Sequence, residues 1–282
     1  MSAGVTGESH AGAALVAHDV RMVFGGVVAL DRASVEVRPG RVTGLIGRNG
    51  SGKSTLFNCL TGFLRPTDGT IRLDGRDITG AAPHELIRAG IARTFQTPRI
   101  DFNTTGRDAV LCGLYPRVRH GFVASLLGLP HAVRAEREMR GRADEMVERM
   151  RMQAWADGKV HQLSMGRLRS VEVARAIAAD ARYVLLDEPA AGIGRGELRV
   201  LADEIRGLAD RGIGVLLVEH NFALIRMLCD EVTVLDTGAV IFRGTPEDAR
   251  RDERVMRLYL GAAAAGESTA QSSPQSTAGG AA

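Results

Sequence analysis

Cysteine, aromatic rings and long apolar runs are all scarce in this sequence. Its three cysteines, Cys59, Cys112 and Cys229, are far apart, with no CxxC pair and no Cys/His spacing. That pattern supports neither a zinc site nor a disulfide framework, and it fits a reducing compartment. No apolar stretch approaches the ~20 residues that a membrane-spanning helix needs, so any membrane span is expected from another chain. Residues 1–10 carry no basic cluster ahead of the apolar stretch 11–17, unlike a secretory signal. Charge of one sign is missing too. Lys+Arg (36) and Asp+Glu (33) nearly balance, and the remaining +3 is too small to argue for nucleic acid as a partner.

What is present is ample apolar material. Of 282 residues, 45% are hydrophobic and 24% charged, enough for one large domain or a domain with a subdomain. Residues 1–12 are small and polar and read as a flexible arm. From Gly261 the composition shifts to Ala, Gly, Ser, Thr, Gln and Pro. Such a segment buries too little apolar surface to offset its ordering entropy, so 263–282 read as a disordered tail.

Between these ends, strands are predicted at 15–22, at 33–37 (ended by Pro39-Gly40) and at 42–46, a continuous apolar run suited to a buried central strand. A hairpin arm at 70–73 closes on Asp74-Gly75. Two more buried strands are predicted at 183–186 and 213–218. A helix over 197–210 places Leu198, Leu201, Ile205 and Leu208 on one face. Thr245-Pro246-Glu247-Asp248 is a helix start, with a cap, a proline at the first position and acid in the first turn. Segment 134–152 is densely charged, with Met139, Ala143, Met146 and Met150 at helical spacing, a packing stripe beneath a solvated face. Residues 97–176 are taken as a helical subdomain inserted into an α/β core with a β-rich appendage.

Two motifs carry chemistry. Gly47-Arg48-Asn49-Gly50-Ser51-Gly52-Lys53-Ser54-Thr55 matches G-x-x-x-x-G-K-[ST], directly after a buried strand and opening a helix over 53–60. Glycines let backbone N–H groups curl around phosphate oxygens, and the helix N-terminus adds partial positive charge. Lys53 is placed to reach the β- and γ-phosphates and the Ser54 hydroxyl to ligate Mg²⁺. The second motif is the apolar run 183–186 ending in Asp187-Glu188-Pro189. Side chains alternate along a strand, so the two carboxylates are expected to point differently. Asp187 is the metal candidate and Glu188 the general-base candidate.

With these motifs in place the chain resembles the ABC-transporter ATPases. Leu163-Ser164-Met165-Gly166-Arg167 resembles the family signature LSGGQ, about twenty residues before the acidic strand. Gln96 stands where the family has its Q-loop, a contact to Mg²⁺ or water. His220 matches the histidine that senses the γ-phosphate, and Phe24 sits where an aromatic ring stacks on adenine. Ser164 and Gly166 read as a helix cap that would present a hydroxyl and N–H groups to phosphate. The resemblance covers about 14–261 and implies a P-loop NTPase core with an antiparallel β subdomain and the inserted helical subdomain. It implies ATP hydrolysis with Mg²⁺, and a dimer in which one subunit's signature completes the other's phosphate loop. Two positions depart from the pattern. Arg167 replaces the usual glutamine, and Gly194 stands where an Asp or Asn usually makes a polar contact across the dimer.

Several stretches are similar to one branch, the ATP-binding subunits of branched-chain amino acid importers. They are Phe24-Gly25-Gly26-Val27-Val28-Ala29-Leu30, Phe57-Asn58-Cys59-Leu60-Thr61-Gly62-Phe63, Arg93-Thr94-Phe95-Gln96, Asp187-Glu188-Pro189-Ala190-Ala191-Gly192, Gly244-Thr245-Pro246-Glu247 and Tyr259-Leu260-Gly261. That branch implies two transmembrane permeases, a second ATPase subunit (non-identical, with a homodimer as the alternative), an extracytoplasmic solute-binding protein and a peripheral place on the cytoplasmic membrane face. The permease surface is expected around 97–125, with Leu126, Leu127 and Leu129 just beyond. Importers of urea or short-chain amides and a soluble non-transport ABC protein are the alternative readings.

Overall fold

A computed structural model describes residues 13–95, 100–114, 129–179 and 181–258. The chain opens with two long strands, β1 (Leu15–Phe24) and β2 (Val27–Val37), joined at Gly25-Gly26, both at positive φ. They pair antiparallel, and β4 (Asp68–Leu73) and β5 (Arg76–Asp77) extend the sheet in the order β2-β1-β4-β5. The turn between β4 and β5 is Asp74-Gly75, both left-handed (φ 51° and 81°), the geometry that matches the twist of a two-residue hairpin.

The second sheet runs β10-β9-β3-β8-β7-β6. Its members are β3 (Val42–Gly47), β6 (Ile91–Arg93), β7 (Tyr183–Asp187), β8 (Gly214–Val218), β9 (Glu231–Asp236) and β10 (Ala239–Gly244). All pairings are parallel except β9 with β10. Every residue of β3, β7 and β8 is buried, as parallel strands covered on both faces must be. The period of two sorts their side chains into two cores. Leu45, Leu185, Leu216 and Val218 face the antiparallel sheet, together with Phe57. Val42, Ile46, Val184, Leu186, Val215 and Leu217 face the opposite core, with Leu201, Ile205 and Leu208.

The helices are α1 (Lys53–Leu60), α2 (Pro83–Arg88), α3 (Gly106–Cys112), α4 (Pro130–Arg149), α5 (Met165–Ala178), α6 (Arg195–Asp210), α7 (Phe222–Leu228) and α8 (Pro246–Arg251). In α4, Ala143 and Met146 are buried, with Met150 just beyond its end, and Met139 packs against the same core. The exposed face of α4 carries the i,i+4 pairs Glu136–Arg140 and Glu138–Arg142. Thr245 caps α8 by accepting from the Asp248 N–H. Strand β2 begins at Val27, six residues before the expected start. Val27 and Val28 are exposed there and carry no alternating apolar signal, so the β1 pairing rather than the side-chain pattern makes that segment a strand. Among the described residues no helix is long and apolar enough to cross a membrane.

Candidate nucleotide site

Because β3, β6, β7 and β8 are parallel, their C-terminal ends share one edge. Leu45 and Asp187 both pair with Val218, and Arg93 pairs with Leu185. The loops leaving that edge carry 47–55, 94–95, 188–194 and 219–221, and such an edge is where open α/β sheets bind ligands.

The first loop is built on glycine. A Cβ on Gly47 (φ 155°) would lie 2.2 Å from the Leu235 carbonyl oxygen, and one on Gly52 (φ 103°) 2.8 Å from that of Ala29. Gly50 (φ 80°) faces open space. Lys53 is buried at the first turn of α1, yet its ammonium donates to the Gly47 and Arg48 carbonyls, each at 2.8 Å. Burial lowers its pKa, and Glu188 and Asp187 counteract this. A cation held over the loop mouth and facing two carboxylates is suited to a polyanion bound with a metal ion. The Ser51 hydroxyl is buried without a hydrogen-bond partner among the described residues, an unspent polar group at the centre of the cradle. Arg48, Asn49 and Ser54 are exposed and Thr55 half-buried. The residues present fit a phosphate chain.

Asp187 ends β7 and is 5% exposed. Its N–H donates to the Thr94 hydroxyl at 2.9 Å, and the Thr94 N–H donates to the Leu185 carbonyl at 3.0 Å. Burial, reinforced by the neighbouring Glu188 charge, holds its carboxyl above the ordinary range. Glu188 lies just past the end of β7 and does not continue its extended backbone. Its backbone is left-handed (φ 46°), rare outside glycine and frequent at functional sites. The Glu188 carboxylate lies 3.8 Å from His220 Nδ1, and the imidazole is largely exposed.

Phe24 ends β1 and is 45% exposed, an available aromatic face. Ser164 caps α5, accepting from the Arg167 N–H at 3.3 Å, as expected for a helix cap. Gly166 is pinned by close approach, since a Cβ there would lie 2.4 Å from the Gly192 oxygen. The α5 start therefore rests on the loop after β7, and among the described residues no hydrogen bond joins Ser164 to the 47–55 loop. Arg167 places its guanidinium over the Trp155 ring at 5.4 Å. Gly194 caps α6, its N–H donating to the Glu197 carboxylate at 3.4 Å. Gln96, Leu126 and Leu127 lie outside the described residues. Leu129 is partly exposed before α4.

Three features were not foreseen from sequence. Arg93 sits 4.6 Å from the ring centroids of Phe57, Phe63 and Phe95 and donates to Asn58 and Thr61. A buried pair on α5, Arg169–Glu172, grips Phe95 from both sides: Arg169 donates to its carbonyl at 2.7 Å, and Glu172 accepts its N–H at 3.1 Å. Glu219, 1% exposed, bridges two loops of the site. Only an ionisable residue inside an apolar run hints at such roles in sequence.

The model of the ABC transporter family matches residues 30–191. The chain belongs to the ABC transporter family. It is 37% identical to the high-affinity branched-chain amino acid transport ATP-binding protein BraF of Pseudomonas aeruginosa, over 86% of this chain and 95% of that one. It is 36% identical to the lipopolysaccharide export system ATP-binding protein LptB of Acidithiobacillus ferridurans, over 83% and 91%. A crystal structure of the ADP conformation of an ATP-binding cassette superposes with a TM-score of 0.74 at 32% identity, over 88% and 99%. This ABC cassette thus has the fold and the nucleotide-binding, ATP-hydrolysing class expected of it.

Proposed function

We propose that this ABC subunit couples ATP hydrolysis to import of branched-chain amino acids through separate permease subunits. The convergence of the 47–55 loop, Lys53, Asp187 and the Glu188–His220 pair on one sheet edge supports the chemistry. The similarity to BraF and the segments shared with that branch support the cargo. In this reading Phe24 stacks on adenine, the amides of 47–55 cradle the phosphates, and Lys53 turns from its loop carbonyls to the β- and γ-oxygens. Ser54, Asp187 and Gln96 would hold Mg²⁺, which would supply positive charge against the phosphate oxygens. Glu188 takes a proton from a water whose oxygen bonds to the γ-phosphorus as the bond to the bridging oxygen breaks. His220, within reach of Glu188, fixes the γ-phosphoryl group. Ser164 and Gly166 of one subunit close the site of a second ATPase, non-identical in the preferred arrangement. The solute-binding protein acts from across the membrane and the subunit lies on the cytoplasmic face.

The domain reading is an arm at 1–12, a cassette at 13–262 with the helical insertion at 97–176, and a tail at 263–282. The permease surface is assigned to a groove of about 240 Å³ lined by Phe63, Ile87, Arg93, Phe95, Cys112 and Arg175. It includes Phe95, just before the expected permease stretch, and Cys112, within it, and Arg93 lies close enough to influence Asp187. The direct test is reconstitution with the cognate permeases and solute-binding protein. Leucine, isoleucine or valine is expected to accumulate with ATP consumption. Accumulation of urea or short amides alone, or lipid export, contradicts the cargo while leaving the ATPase chemistry intact.

A further inference from the structure

The strained backbone of Glu188 needs something to hold it. Two of its restraints come from the main chain: the Glu188 N–H donates to the Val218 carbonyl at 2.9 Å, and the Ala191 N–H donates back to the Glu188 carbonyl at 3.2 Å. The third is a side chain. Glu219 Oε1 accepts the Ala190 N–H at 3.1 Å, and Glu219 Oε2 accepts the His220 N–H at 3.3 Å. One carboxylate therefore spans the loop that carries Glu188 and the loop that carries His220, with one oxygen given to each. It also approaches the His220 imidazole at 4.0 Å.

This arrangement is costly. Glu219 follows the fully buried strand β8 and is itself 1% exposed, where an unpaired carboxylate is strongly disfavoured. Burial is the largest influence on its carboxyl, which is held above the ordinary range despite the backbone donors. An apolar residue would fill the space at lower cost but would leave two loop amides without acceptors. The cost makes sense where the relative position of the two loops matters.

We propose that Glu219 is a positioning residue for hydrolysis. It locks the two loops together, and so holds Glu188 in its left-handed conformation at a set distance from His220. The inference rests on Glu188 acting as the base. Glu219 itself touches no reacting atom and acts through its two neighbours.

The test is a double-mutant cycle on the assembled, Mg·ATP-hydrolysing complex. Glu219→Gln keeps the shape, but its amide nitrogen cannot accept a hydrogen bond, so one loop is released. The expected result is a fall in kcat of about 10- to 100-fold, the scale of a sub-ångström to 1 Å misplacement, with KM for ATP within about 3-fold. In a Glu188→Gln background the same change is expected to alter the residual single-turnover rate by less than about 2-fold, because the group being positioned is gone. Glu219→Asp, which keeps both acceptors on a shorter stem, is expected to recover part of kcat and supplies the readout should Glu219→Gln not fold. A kcat within about 2-fold of wild type for Glu219→Gln overturns the proposal. An equal loss in both backgrounds also overturns it and assigns Glu219 a purely structural role. A wild-type rate insensitive to Glu188→Gln is a different failure, that of the base assignment itself.

Discussion

Asp187 and Glu188 place two carboxylates side by side at the end of a buried strand, with Lys53 as the nearby counter-charge. This is an electrostatically unfavourable arrangement, since burial and the Glu188 charge both raise the Asp187 carboxyl, and it is consistent with the proposed Mg²⁺ site. Asp187→Asn removes a buried charge and its repulsion with Glu188. It is expected to raise the stability of the nucleotide-free protein by on the order of 1 kcal/mol while abolishing Mg²⁺-dependent hydrolysis, the usual exchange of stability against function. A thermal melt of the nucleotide-free protein checks the first half and a Mg·ATP turnover assay the second. The cysteines give a second expectation. Burial pushes the Cys59 thiol up to about 11 and raises that of Cys229 as well, whereas Cys112 is exposed. Iodoacetamide at pH 8 should therefore modify Cys112 in the folded protein and reach the other two only after denaturation, as mass spectrometry would show.

Among the elements, the phosphate loop and α5 carry the most constraint. Gly52→Ala drives a Cβ against Ala29 and Leu30 at 2.8 Å, at a φ of 103°. It is expected to cost about 1–3 kcal/mol and most of the ATP affinity, checked by urea unfolding and nucleotide titration. On α5, Arg169→Met strips a guanidinium from the fully buried Glu172 carboxylate. Breaking a buried pair in this way costs about 3–5 kcal/mol. Burial already holds the Glu172 carboxyl above its usual range even with Arg169 present. The deficit in the variant should therefore shrink as pH falls, since protonating Glu172 removes the stranded charge. A deficit unchanged between neutral and mildly acidic pH contradicts this. Legibility from sequence divides along the same lines. Strands β3, β7 and β8 were readable because burial on both faces requires continuous apolar runs, and Ser164 and Thr245 were readable because caps use a small set of side chains. Three-residue β6 was not readable, nor was the exposed start of β2, because cross-strand hydrogen bonding makes both. Glu219, Arg169 and Glu172 escaped because what they hold is backbone far away in sequence.

Across the whole molecule, the parallel sheet brings four loops to one edge, while α5 runs from the outward-facing Ser164 to the groove at Arg175. If the proposed permease docks in that groove, Arg93 and Phe95, which line it, lie between it and Asp187. Ile87→Asp, at an exposed position in that groove, is expected to abolish co-purification with the permeases and solute uptake while leaving basal turnover within about 2-fold. Loss of basal turnover, or unchanged co-purification, would move the docking surface elsewhere. The proposed activity as a whole depends on the chemistry at the sheet edge. Its most direct measurement is steady-state Mg·ATP turnover by the assembled complex, for wild type and for Glu188→Gln, alongside ATP binding by each. Retained ATP binding with turnover reduced at least about 100-fold is the predicted result. Turnover that survives the substitution contradicts the account.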